Sequence, residues 1–192
     1  MTLTDRIGAR TAGFGAASGA VAYVLGYLIV YVTQRSDVEQ QLSTFNVISD
    51  LFGGDPIPAW QAVGWLFYNA HFVDTELPGL VGGARVENFI AASDDGSLTL
   101  LYLVPPLLLL AAGFAAAYLA DADEPGVGVP LGALVTVAYL PLAVTGTVVF
   151  AYAVGDGAIA PDAVTGVLLA GLVYPAVFGG VGGALAGVVG ND

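Results

Sequence analysis

Along the 192 residues, hydrophobic positions gather into four long runs separated by polar segments. Residues 11–34, 96–120, 125–155 and 163–191 contain no charged residue. Each run exceeds the ~20 apolar residues that a helix needs to cross the hydrocarbon core of a bilayer. The pattern predicts four spans, about 11–33, 98–120, 129–154 and 163–189, in a single membrane domain over 1–192. The first run is longer than the roughly 7–15 residues of a signal-peptide core and no small-residue cleavage site follows it, so it reads as a retained helix.

Residues 34–97 form a loop subdomain of different character. Val38 to Phe52 mixes apolar and polar residues at near-helical spacing, and Phe52-Gly53-Gly54-Asp55-Pro56-Ile57-Pro58 is dense in turn residues. Ala59 to Val73 carries Trp60, Trp65, Phe67, Tyr68 and Phe72, interrupted by Gln61, Asn69 and His71. At roughly 15 residues it is short for a crossing, and its aromatic content suits the headgroup region. It reads as an interfacial or re-entrant helix at the membrane surface, with a fifth span as the alternative. Leu77 to Gly96 looks like an ordered, irregular return with turns at Gly82-Gly83 and Asp94-Asp95-Gly96. The fold class expected is an all-α membrane protein: a four-span bundle with that extra helix between spans 1 and 2. The connections 121–126 and 155–162 are short turns, which forces antiparallel neighbours.

Two glycine patterns predict close helix contacts. Gly179, Gly183 and Gly187 repeat at i, i+4, i+8 on one face of the fourth span, and Gly15 and Gly19 begin a face of the first that continues through Tyr23, Tyr27 and Tyr31. In lipid, small residues let helix backbones approach closely, so both faces read as packing seams. The fourth-span seam is read as an intrachain contact, with a second copy as the alternative. Pro105-Pro106, Pro141 and Pro175 are expected to kink three spans, each near a tyrosine (Tyr102, Tyr139, Tyr174). Broken helices recur at transporter sites, but they also occur in helices without that role.

Composition removes much familiar chemistry. There is no lysine and no cysteine, and His71 is the single histidine. Lysine Schiff bases, Walker-type phosphate loops, thiolate nucleophiles and iron–sulfur ligands are excluded. Ser18, between Gly15 and Gly19, has no histidine in any span to activate it and is rejected as a nucleophile. His71 with Asp74 has i, i+3 spacing for a cation, but a solvent-facing histidine bonded locally at a helix end is the simpler reading. No catalytic residue, cofactor or metal is expected, and the chain reads as no enzyme. Four arginines against sixteen acids give a net charge of −12, which disfavours nucleic acid as a partner. The acids crowd the connecting segments, and with the missing lysine they suggest a high-salt proteome.

Arg6 and Arg10 flank the first span on one side, Arg35 and Arg85 on the other, a tie in positive charge. The loop holding the second pair exceeds ~60 residues, beyond the range where such charges orient a protein. The N-terminus is therefore expected on the cytoplasmic side of the cell membrane, and an even span count returns the C-terminus there.

The segment Phe52 to Phe72, together with the Pro105-Pro106 span, resembles a group of short, uncharacterised haloarchaeal polytopic membrane proteins carrying a generic transporter label. That resemblance implies a small-solute transporter or channel-like component. The alternative is a non-catalytic scaffold or accessory subunit that docks partners through 34–97. Either would work in the lipid bilayer, as a homo-oligomer or with a membrane-complex partner. The candidate functional surface is Trp60, Gln61, Trp65, Tyr68, Asn69 and His71. A polar cavity between the spans would favour transport. A solid glycine-packed bundle with an exposed aromatic patch on 57–73 would favour docking.

Overall fold

The computed structural model describes residues 8–51, 55–79, 83–93, 96–155 and 157–190. The turn residues Gly53, Gly54, Gly82, Asp94 and Asp95 lie outside these. Four helical stretches are long and apolar enough to cross a membrane: Ala9–Thr44, Thr99–Leu119, Pro125–Val149 and Ala163–Val189. The chain is a mainly helical membrane protein with four spans, as the hydrophobic runs require.

Helix α1 (Ala9–Leu51) is one continuous helix of 43 residues, where the sequence suggested two pieces. The reason is local: no Gly or Pro occurs from Leu28 to Phe52. At 1.5 Å per residue it is about 65 Å long, against ~30 Å of hydrocarbon. Its C-terminal part therefore stands clear of the lipid, with Arg35 bonded to Glu39 at 2.7 Å on its exposed side. The Asn46 side chain brackets Ile57, accepting from its N–H at 2.9 Å and donating to its carbonyl at 3.3 Å. That clamp sets the start of α2 (Ala59–Asn69).

The next segment folds as strands, which corrects the expectation of irregular coil. β1 (Thr75–Pro78) pairs antiparallel with β2 (Ala84–Glu87). A 3₁₀ turn, Thr99–Leu103, leads into α3 (Val104–Leu119). Pro105 and Pro106 sit in the first turn of α3, at the change from the 3₁₀ turn to the α-helix. The third span is α4 (Pro125–Ala133) and α5 (Thr136–Val149), interrupted at Leu134 and Val135. It ends earlier than expected because 152–161 is a hairpin and not a plain turn. β3 (Tyr152–Val154) and β4 (Gly157–Pro161) pair with each other, and β4 also pairs with β1. The sheet order is β2-β1-β4-β3. The fourth span opens with Ala163–Thr165, widens into a π-helical stretch Gly166–Val173, and continues as α6 (Tyr174–Val189), with Pro175 again in a first turn.

Glycines decide how the spans pack. A Cβ on Gly183 would collide with the backbone of Gly128 and Gly132, and one on Gly187 with the Glu124 carbonyl. Gly113 meets Gly179 in the same way, so α6 lies between α3 and α4 with no side chains separating the backbones. Gly15 abuts Leu134 and Gly19 abuts Val135, which seats α1 at the interruption in the third span. Val21, Val32, Leu107, Val148 and Val181 stay exposed, as a lipid-facing shell would be.

Candidate functional site

Helix α2 is where the polar and aromatic residues converge, and it is buried. Nine of its eleven residues, Gln61 through Asn69, lie in the interior. It runs antiparallel to α5, from Gln61 beside Ala151 to His71 beside Tyr139. Through His71 it reaches Tyr139, near the middle of the 25-residue stretch Pro125–Val149, while Asn69 stays bonded to Thr75 and Phe89 beside the sheet. The surface placement is corrected: of the six candidate residues only Trp60, 41% exposed, remains at the outside.

The polar groups of α2 have structural partners that explain their burial. A helix leaves its last carbonyls without intrahelical donors, and in lipid they must still be satisfied. Gln61 Nε2 donates to Val149 O at 3.4 Å and to Ala151 O at 2.8 Å, while Trp65 Nε1 donates to Phe150 O at 2.7 Å. Those two side chains cap the end of α5. Asn69 Nδ2 donates to Val73 O at 2.8 Å and Thr75 Oγ1 at 3.2 Å, and its Oδ1 accepts from Phe89 N–H at 2.9 Å. Asn69 thus ties the helix end to β1 and to the 88–89 turn.

Tyr68 and His71 face the spans. Tyr68 donates its only proton to the Ala143 carbonyl, so it must accept from Tyr23, whose hydroxyl is 3.2 Å away. Gly146 makes room for this pair, since a Cβ there would overlap both hydroxyls. His71 is fully buried, which corrects the solvent-facing expectation. Its Nδ1 lies 2.8 Å from Phe67 O and its Nε2 2.7 Å from Tyr139 Oη. A carbonyl only accepts, so Nδ1 carries the proton, and in the neutral ring Nε2 accepts from Tyr139. Phe67 at 4.9 Å and Tyr174 at 5.2 Å pack around the imidazole. Among the described residues no group of three His, Asp or Glu is placed to hold a metal.

The turn after α2 is strained. Phe72 has φ +58°, a region a bulky residue rarely occupies, and its half-exposed ring stacks on Tyr102 at 4.4 Å. Near it, at the membrane boundary, Asp162 opens the fourth span by accepting from the Thr165 N–H (2.7 Å) and hydroxyl (2.6 Å). These bonds hold its carboxyl below the usual range. Glu76 shares a hydrogen bond with Asp162, and this together with partial burial pushes the Glu76 carboxyl up.

A cavity of about 790 Å³ lies between the polar part of α1, the start of α2, the sheet and the segments 89–93 and 97–98.

A family of unknown function, DUF7978, matches residues 3–190. The chain belongs to this family. No curated protein and no solved structure matches it.

The sequence reading missed Tyr23 and Tyr139 as partners of α2, and missed Gly146 and the Ala143 carbonyl altogether. Tyr23 stands on the aromatic face of α1 and Tyr139 lies beside Pro141, but nothing local joins either to α2. Gly146 did carry a signal, being the single glycine between Gly132 and Gly155, one and a half turns after Pro141.

Proposed function

We propose that the protein is a non-catalytic membrane scaffold or accessory subunit that docks partners through the segment 34–97, whose head is the C-terminal part of α1 and the strands β1 and β2, joined by the β3–β4 hairpin. The observation that carries this reading is where space and unpaired surface occur. Glycine contacts bring the spans together and α2 packs against them, whereas a cavity of about 790 Å³ and the sheet edge β2 lie on the side of the sheet and the polar part of α1. An edge strand presents backbone N–H and C=O groups to a partner. On β2, Arg85, Val86 and Glu87 accompany that edge, with Val86 59% exposed.

The head faces away from the cytoplasm in this reading, with both termini inside the plasma membrane, which an even number of spans allows. Acidic loops and the absence of lysine suit a haloarchaeal, high-salt setting. Mass measurement of the native complex extracted in mild detergent tests the docking role. It predicts a complex of fixed stoichiometry that Val86→Pro on the exposed edge dissociates while monomers stay folded. Free monomers from the unaltered chain would contradict it.

One observation favours transport instead. The third span is interrupted at Leu134–Val135 beside α1, the π stretch Gly166–Val173 abuts Tyr68 of α2 at Gly166, and discontinuous helices are a feature of transporter cores. Solute flux in proteoliposomes that survives Val86→Pro would support that alternative.

A further inference from the structure

We propose that the cleft between the polar part of α1 and the root of α2 is a binding site for a lipophilic cation, an apolar or aromatic body carrying one positive group. The cleft is not a uniform groove. One wall is polar, with Gln34, Asp37 and Gln41 spaced along one face of α1. The opposite wall is apolar, with Trp65, Leu66, Phe89 and Leu98. Its volume of about 790 Å³ falls within the roughly 300–1,000 Å³ of small-molecule sites.

Three features select the ligand class. Among the described residues lining the cleft, Asp37 is the single ionisable one, and it is exposed, so a charged head can bind there while still partly hydrated. The nearest arginine, Arg35, is engaged by Glu39 at 2.7 Å and sits over the Tyr31 ring. It does not line the cleft, so an anionic head would meet a carboxylate with no compensating charge. Position completes the argument. Leu98 directly precedes the second span and Gln34 ends the charge-free run of the first, so the cleft opens at the lipid–water boundary. An amphiphile dissolved in the outer part of the bilayer reaches it without crossing the hydrocarbon. At the ~0.15 M salt of a binding assay the screening length is ~8 Å, longer than the contact between such a head and Asp37, and the attraction weakens as salt is raised toward molar levels, where it falls to ~3 Å. This site does not depend on the docking reading, since it requires no protein partner.

Tetraphenylphosphonium and tetraphenylborate test the proposal, because they share a shape and differ in charge. Saturable binding of each is measured by equilibrium dialysis against the full chain in nanodiscs, with empty nanodiscs subtracted. The expected result is saturable binding of the phosphonium and none of the borate. Asp37→Asn should weaken the phosphonium about fivefold, the order of one exposed ion pair. Ser97→Trp, which fills the cleft from its exposed rim, should abolish binding. Equal binding of the two ions, no saturable phosphonium binding, or binding indifferent to both substitutions would overturn the site. The comparison of the two ions uses the unaltered chain, so it stands even where a variant fails to fold.

Discussion

Gly146 shows how narrow the tolerances around α2 are. It is the position in α5 against which the Tyr23 and Tyr68 hydroxyls meet, and adding one methyl group there forces both to move. Gly146→Ala should cost roughly 1–3 kcal/mol, the range for overpacking an ordered core. Val144→Ala, on the exposed face of the same helix, is the control. Thermal unfolding in detergent should separate the two clearly, and equal losses would show that the tyrosine pair is not tight. His71 makes a related prediction. Tyr139→Phe leaves Nε2 buried without a donor, which should cost about 1–3 kcal/mol. With His71→Phe already present the same change should cost much less, and additive losses would contradict the bond. His71 looked solvent-facing in sequence because Asn69, Asp74, Thr75 and Glu76 surround it. Its partner is 68 positions away, and no local pattern could report that contact.

The elements were legible to the extent that periodicity and breakers act locally. Charge-free runs found the four spans, since lipid leaves few alternatives to a helix. The sheet was harder to see. Its strands are three to five residues long, and β1 gains meaning only by pairing with β4, from the far end of the chain. The Gly155-Asp156-Gly157 sequence was nonetheless a usable hairpin signal. Burial of α2 was hidden for the same reason: the carbonyls that need Gln61 and Trp65 belong to α5.

Helix contacts give the sharpest prediction at this level. Gly183→Leu should abolish recovery of folded protein because two backbones must separate, whereas Val181→Leu on the exposed face should be tolerated. Comparable losses would deny the seam. The start of the fourth span adds a pH dependence. Asp162 is held below the usual carboxyl range, so its contribution is present above its unfolded pKa and fades as pH falls through its folded value. Asp162→Ala should therefore cost about 0.5–2 kcal/mol near neutrality and less in acid. Glu76 is shifted the other way, so its contribution is present in acid and lost as pH rises through its raised value. Glu76→Gln keeps the donor at every pH and should stabilise the protein at neutrality alone. Melting curves across the acidic range check both signs.

At the scale of the whole molecule, one structural choice organises the rest. The chain runs out along α1, turns back against the bundle as the buried α2, and goes on to build the sheet. The buried helix packs against the spans, and the head carries the cleft and the exposed strand edge. Membership in a family of unknown function leaves that architecture as the basis for the functional reading. The absence of cysteine makes its central feature directly measurable. Single substitutions Asp55→Cys, Arg85→Cys, Gly126→Cys and Ala70→Cys are labelled with a membrane-impermeant maleimide on intact and on opened cells. A re-entrant α2 predicts that positions 55 and 85 react from one side and 126 from the other. Position 70, fully buried, should react only after denaturation. Labelling of positions 55 and 85 from opposite sides would make α2 a fifth crossing and contradict the account.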